Sequence, residues 1–256
     1  MIKVLKDKEI NLRTRPEPHN TQYLEAMAGY RFVRERVKGL NVLDAGCAYG
    51  YGTDLLGGSA AAVTGVDFSP ETILWARKNY RRKNINFIIT DLEKTSFAAG
   101  CFDAVCLFEV LHLVKDYRKV LGELSRVIKK GGELFASTRN WKEAQKVDAD
   151  AAHLHCFTQD QWRGILSEYG FATEETFGIS RPEQVYRLES KLESIRKFDF
   201  LGIRRIIPRS AVSFGVYLIS KIKGIIPPQE MKCESFEISR VTAATSPGVL
   251  FLCRKN

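Results

Sequence analysis

Val42-Leu43-Asp44-Ala45-Gly46-Cys47-Ala48-Tyr49-Gly50-Tyr51-Gly52-Thr53 carries an apolar strand straight into a glycine-rich turn. Glycines let a backbone approach a ligand closely and adopt conformations that a Cβ would forbid. Working outward, the first strand is predicted over Asn41 to Leu43. Short apolar runs recur at Ala62 to Val66, Asn86 to Ile89, Phe102 to Phe108 and Glu133 to Ser137, with helical stretches between them. That alternation is what a parallel sheet with crossover helices produces. Ser69-Pro70-Glu71 supplies a cap residue, a first-turn proline and an acid, which predicts a helix running to about Arg82. A second helix is expected from about Asp116 to Ile128, stopped by Gly131-Gly132. Thr158-Gln159-Asp160-Gln161 has the spacing of a capping box and opens a helix ending near Gly170, before a strand at Phe171 to Phe177. Val249 to Cys253 reads as the closing strand.

The flanks behave differently. Residues 20 to 38 set Tyr23, Leu24, Ala26, Met27, Tyr30, Phe32 and Val33 among charges, the pattern of one or two amphipathic helices that pack beside the core or close over a ligand. Residues 180 to 246 lose the strand-helix rhythm: Arg181 to about Ile225 reads as helical, interrupted at Pro208 and ended by Pro227-Pro228. The expectation is an α/β, Rossmann-like, mostly parallel seven-stranded sheet with helices on both faces. Residues 1–39 form an N-terminal helical segment, 40–179 the core, 180–246 a helical cap inserted before the last strand, and 247–256 that strand.

Composition limits the rest. A chain of 256 residues, 45% of them hydrophobic, buries a real core in one domain with elaborations. Its six cysteines (Cys47, Cys101, Cys106, Cys156, Cys233 and Cys253) form no C-x-x-C pair and no zinc-like cluster with histidine, so no metal site is expected. Reduced, buried thiols and a start too short in apolar residues for a signal peptide predict a cytoplasmic protein. The longest candidate membrane run, Ala211 to Ser220, is about half of the roughly 20 residues a spanning helix needs. The net charge of +9 and pI of about 9.2 suit an anionic partner without specifying one.

The chemistry starts from Asp67, which ends the second strand in Val63-Thr64-Gly65-Val66-Asp67. A carboxylate there takes both hydroxyls of a ribose. A dinucleotide fold would show G-x-G-x-x-G, with a helix N-terminus receiving pyrophosphate. Here the glycines fall at Gly46, Gly50 and Gly52, with Asp44 just before them. An acid at that point repels pyrophosphate and orients an ammonium group, so an adenosine ligand with a cationic end is favoured.

At this point the chain resembles class I S-adenosylmethionine-dependent methyltransferases, in particular the small-molecule branch that includes ubiquinone-type enzymes, over roughly residues 40 to 178. Asp44-Ala-Gly46-Cys47-Ala48-Tyr49-Gly50 is similar to the family's D-x-G-C-G-x-G, with Ala48 replacing the middle glycine and tightening the methionine pocket. Asp67, followed by Phe68, matches the ribose-binding acid. Asp91-Leu92, six residues before Phe97, resembles the segment after the third strand, which implies Asp91 on the adenine amino group and Leu92 along the ring. Phe102-Asp103-Ala-Val-Cys-Leu-Phe108-Glu109-Val-Leu-His112 resembles the fourth-strand motif, implying that Phe108 and Glu109 line the methyl donor. Gly131-Gly132-Glu-Leu-Phe-Ala-Ser-Thr138 resembles the fifth-strand segment. The resemblance implies S-adenosyl-L-methionine as cofactor, with S-adenosyl-L-homocysteine as product. One departure is plain: many relatives read E-x-x-E-H, whereas His112 arrives one position early.

Holding donor and acceptor in line supplies much of the catalysis of methyl transfer, and a hydroxyl acceptor also gains from a general base. The candidate bases are His112, after the fourth strand, and His153 and His155, after the fifth, where relatives often carry a histidine near the acceptor. Tyr49 and Tyr51 either contact the ligand or pack against the N-terminal helices. From Arg181 to Lys232 there are eleven Lys/Arg against five Asp/Glu, interleaved with Phe198, Phe200, Ile206, Phe214 and Tyr217. That stretch reads as a lid over the acceptor site or, over 196–226, as a peripheral membrane contact. The expected acceptor is an oxygen or nitrogen of a small molecule, sugar or lipid-linked glycan. The rivals are an RNA or protein methyltransferase docking through the basic insertion, and a non-catalytic adenosine-ligand-binding protein. Nucleic acid is the least favoured partner, because no RNA-recognition signature accompanies the charge.

Overall fold

A computed structural model describes residues 21–141, 154–180, 236–240, 246 and 248–256. The expected helices between Arg181 and Ile225, together with His153, lie outside the described residues.

Within them the elements run α1 (Thr21–Arg34), β1 (Asn41–Ala45), α2 (Tyr51–Gly57), β2 (Ala62–Asp67), α3 (Pro70–Asn79), β3 (Ile85–Ile89), β4 (Phe102–Phe108), α4 (Tyr117–Val127), β5 (Ile128–Arg139), α5 (Gln159–Glu168), β6 (Phe171–Ser180), β7 (Glu237–Ser239) and β8 (Gly248–Lys255). The strands make one sheet in the order β3-β2-β1-β4-β5-β8-β6-β7. Pairings from β3 through β5 are parallel, and those that β8 and β7 make are antiparallel. The fold is therefore the Rossmann-like α/β sheet expected, with eight strands in place of seven. The extra strand, β7, is a three-residue edge strand paired with β6. It falls inside the segment read as a helical cap. Three residues are too few to show an alternating pattern, and pairing at an edge decides them.

The central strands are buried on both faces, so β4 reads as a nearly unbroken apolar run. On one face α4 presents Tyr117, Val120, Leu121, Leu124 and Val127 at helical spacing, and α5 adds Trp162 and Leu166. On the other, Leu24, Ala28, Tyr30 and Val33 of α1 join Leu56 of α2.

Local chemistry sets the helix starts. Ser69 caps α3 ahead of Pro70, the Asp116 side chain accepts from the backbone N–H groups of Arg118 and Lys119, and Thr158 and Gln161 complete the capping box of α5. β1 leads into the turn before α2, β2 and β3 lie on one side of it, and β4 and β5 on the other. The strand order thus reverses between β1 and β4, where an open parallel sheet leaves a crevice at its carboxyl edge.

Candidate functional site

The turn between β1 and α2 is built from alternating left-handed residues: Gly46 at φ 79°, Ala48 at φ 47° and Gly50 at φ 79°. The N–H groups of Gly46 and Cys47 both donate to the Val66 carbonyl, at 2.8 and 2.9 Å, so the turn folds over the end of β2. A Cβ on Gly46 would stand 2.4 Å from Val110 Cγ2, which shows how closely the turn approaches the loop after β4. Gly52 is bare for another reason: a Cβ there would lie 2.0 Å from Cζ of Tyr30. This third glycine seats an aromatic ring from α1 and is not free for ligand approach.

Asp44 stands in β1 with no exposure to solvent. The Tyr30 hydroxyl donates to its Oδ1 at 2.8 Å and the Thr53 hydroxyl to its Oδ2 at 2.6 Å. Burial is the largest influence on its acidity; the two hydroxyls oppose it, nearby Asp67 adds to it, and the carboxyl is pushed up to about 6. Asp67 is also buried, and it accepts the backbone N–H of Ser69 on Oδ1 at 2.9 Å and that of Ala48 on Oδ2 at 3.1 Å. These two bonds orient the acid beneath the turn.

Around that pair, Phe68 and Ile89 are exposed by 58% and 43% at the carboxyl ends of β2 and β3, while Leu92 is buried. Asp91 accepts the Glu93 N–H at 2.9 Å in a turn open to solvent. Cys47 is buried, its thiol pushed up by burial. Tyr49 packs edge-on to Trp75 of α3, and Tyr51 meets Tyr23 and Tyr30 of α1. Phe108 closes the end of β4 against the Tyr30 ring at 4.6 Å.

Glu109 follows in the left-handed region at φ 57°, a conformation worth about 1–3 kcal/mol of strain that folds retain mostly at functional sites. Its Oε1 accepts from Ser137 Oγ at 3.0 Å, and its Oε2 lies 3.3 Å from Arg139 Nε, while Arg139 Nη1 faces Glu25 Oε1 of α1 at 3.6 Å. Burial raises the Glu109 carboxyl, Arg139 works against that, and Glu25 adds to it.

The histidines separate. His112 is buried at 4% exposure, its Nδ1 3.3 Å from Thr138 Oγ1 at the end of β5. The Nε2 of His155 lies 2.8 Å from the Val114 carbonyl, to which it donates, and the ring is stacked on Phe157 and edge-on to Tyr117. That bond and those contacts give His155 a place in loop packing. Among the described residues no group of acids, cysteines and histidines could hold a metal ion.

The sequence places Tyr30 in an amphipathic helix, Thr53 in the glycine-rich stretch and Ser137 in the fifth strand, but it links none of them, nor Arg139, to the site's acids. The available signal was Asp44 itself: an acid inside a buried strand needs partners, and Thr53 lies in the very stretch that follows it.

Residues 43–136 match the family described as "Methyltransferase domain". The chain is 27% identical over 165 residues to the "Probable S-adenosylmethionine-dependent methyltransferase" of Mycolicibacterium smegmatis, covering 63% of each protein. It is 35% identical over 119 residues to the ubiquinone biosynthesis O-methyltransferase of Coxiella burnetii, covering 44% of this chain and 50% of that one. The chain thus spans between half and 63% of the length of these relatives. Among solved structures, an S-adenosylmethionine-dependent methyltransferase of Mesorhizobium loti superposes with a TM-score of 0.56 at 17% identity, over 90% of this chain and 98% of that one. The [4+2]-cyclase SpnF shares the fold too, with a TM-score of 0.55 at 19% identity, over 88% of this chain and 80% of that one. Fold and matched segment point the same way: residues 43–136 carry a methyltransferase domain similar to those of class I S-adenosylmethionine-dependent enzymes, and S-adenosyl-L-methionine is the cofactor such a domain implies. The residues fit such a group. Asp44 is a buried acid acted on by hydroxyls and another acid, Asp67 is oriented by two N–H groups, and Phe68 and Ile89 expose apolar surface beside them.

Proposed function

We propose that the protein methylates an oxygen or nitrogen of a small molecule, sugar or lipid-linked glycan, with a hydroxyl-bearing small molecule as the favoured acceptor. The likeness to ubiquinone biosynthesis O-methyltransferases supports the small-molecule class. The observation that carries the reading is the buried Asp44 carboxylate, held by two neutral hydroxyls beside a second buried acid. Such an arrangement keeps a negative charge available for a cation and is unsuited to pyrophosphate.

S-Adenosyl-L-methionine supplies an electrophilic methyl group on a sulfonium. In this reading Asp67 holds the ribose hydroxyls, Asp44 faces the ammonium end, Phe68, Asp91 and Leu92 surround the adenine, and the turn from Gly46 to Gly50 shapes the methionine pocket. Phe108 and Glu109 close the side toward β4. His112, its ring fixed by Thr138, takes the proton from an acceptor hydroxyl, a contribution of about 10²–10⁴-fold. Arg139 and Ser137 hold the Glu109 side chain at the lip of the site. Among the described residues no helix is long and apolar enough to cross a membrane.

Calorimetry with S-adenosylhomocysteine and with NAD tests this reading. Micromolar binding of the first and none of the second is expected; binding of NAD alone would replace the assignment with a nicotinamide one.

A further inference from the structure

We propose that Tyr30 is a positioning residue of the donor site, fixing the Asp44 carboxylate from a helix that lies outside the matched methyltransferase-domain segment. The proposal rests on the reading of Asp44 given above. Its basis is geometric. The Tyr30 side chain is 3% exposed and its hydroxyl donates to Asp44 Oδ1 at 2.8 Å. Three neighbours hold the ring: Phe108 at 4.6 Å and Tyr51 at 6.0 Å, both edge-on, and the bare Cα of Gly52, where any Cβ would collide with it. A ring held this way cannot swing its hydroxyl elsewhere. Thr53 occupies the second oxygen, so the carboxylate plane is set by one donor from α1 and one from α2.

The groups acting on Asp44 come from every element around it: Tyr30 from α1, Cys47 from the turn, Tyr51 and Thr53 from α2, Asp67 from β2 and Cys106 from β4. All are hydroxyls, thiols or an acid. Two hydroxyl donors therefore carry the work of keeping Asp44 ionised near neutral pH without neutralising it. With its carboxyl at about 6, Asp44 is poised so that loss of one donor shows in the pH dependence of binding. It follows that α1 must be docked for the donor to bind well.

The test uses the full chain, with S-adenosylhomocysteine as calorimetric probe between pH 5.5 and 8.5, on wild type, Tyr30→Phe, Thr53→Val and Asp44→Asn. Tyr30→Phe keeps the ring in its seat, and thermal melting checks that the fold persists. Losing one hydrogen bond to an ionised acceptor raises the midpoint of the affinity profile by about one pH unit, so affinity falls about fivefold at pH 6 and by less than about twofold at pH 8. Thr53→Val, which removes the other hydroxyl, is expected to show the same signature. Unchanged affinity in Tyr30→Phe, or a loss of equal size at every pH, overturns the positioning role. If Asp44→Asn weakens binding while Tyr30→Phe does not, only this inference falls. If Asp44→Asn binds as wild type does, the reading of the donor site falls with it.

Discussion

The backbone N–H of Ala48 donates to Asp67 Oδ2 at 3.1 Å, so the acid ending β2 is tied to the turn that ends β1. Removing this carboxylate takes away the ribose acceptor and the acceptor of two backbone N–H groups, those of Ala48 and Ser69. Asp67→Ala is expected to lower affinity for S-adenosylhomocysteine by about two orders of magnitude, since bonds to a charged acceptor are worth about 1.5–3 kcal/mol each. Stability should fall by about 1–3 kcal/mol in chemical denaturation. Unaltered affinity would remove Asp67 from the ribose site.

Asp44 presents the opposite balance between stability and function. Its carboxyl rises from an ordinary 3.8 to about 6, mainly through burial. A group raised on folding contributes stability that is fully present below the unfolded value and is lost as pH rises through the folded one. For Asp44 the loss falls between about pH 4 and pH 6 and amounts to roughly 3 kcal/mol. Asp44→Asn escapes it. Denaturant titrations should show the variant gaining on wild type across that interval and at least matching it at pH 7, while donor binding weakens. A variant less stable than wild type at every pH would contradict the idea that the ionised acid is kept at a cost to the fold.

The turn offers a contrast among small residues. Ala48 already holds a left-handed backbone, so Ala48→Gly relieves strain of about 1–2 kcal/mol and adds chain entropy of about 0.4–1 kcal/mol to the unfolded state. Stability should change by less than about 1 kcal/mol. Gly46→Ala and Gly52→Ala instead drive a methyl into Val110 and Tyr30, and each should cost more than about 2 kcal/mol. Equal melting temperatures for all three variants would refute this account of the turn.

His112→Asn keeps a polar side chain beside Thr138 and removes the proposed base. Steady-state kinetics with a hydroxyl acceptor should show kcat down by about 10²–10⁴-fold with donor affinity nearly unchanged. His155→Gln should leave kcat within a few fold, because its Nε2 donates to the Val114 carbonyl. The reverse ranking would move the base to the other loop.

Much of this fold is legible in the sequence. β4 occupies Phe102–Phe108 as its apolar run indicates, and the capping box at Thr158 and Gln161 forms. Boundaries set by tertiary contacts were less visible. α3 stops at Asn79, short of Arg82, where Tyr80 becomes extended and turns its ring toward Trp75 and Phe87. β5 runs from Ile128 through Gly131 to Arg139, because Ile128 pairs with Phe102 of β4 at one end and Arg139 with Gly248 of β8 at the other, with Gly131 left-handed between them. In the site, the glycines and acids announced themselves through local pattern. Tyr30, Ser137 and Arg139 did not, since their roles depend on which helix and strand ends meet them in space.

The most direct measurement is a crystal structure of the full chain with S-adenosylhomocysteine. The account places both ribose hydroxyls within hydrogen-bonding reach of Asp67, the ammonium toward Asp44, the adenine beside Phe68 and Leu92, and the sulfur facing a cavity that His112 reaches. A nucleoside bound away from the carboxyl ends of β1 and β2, or an Asp67 that does not touch the sugar, would contradict it.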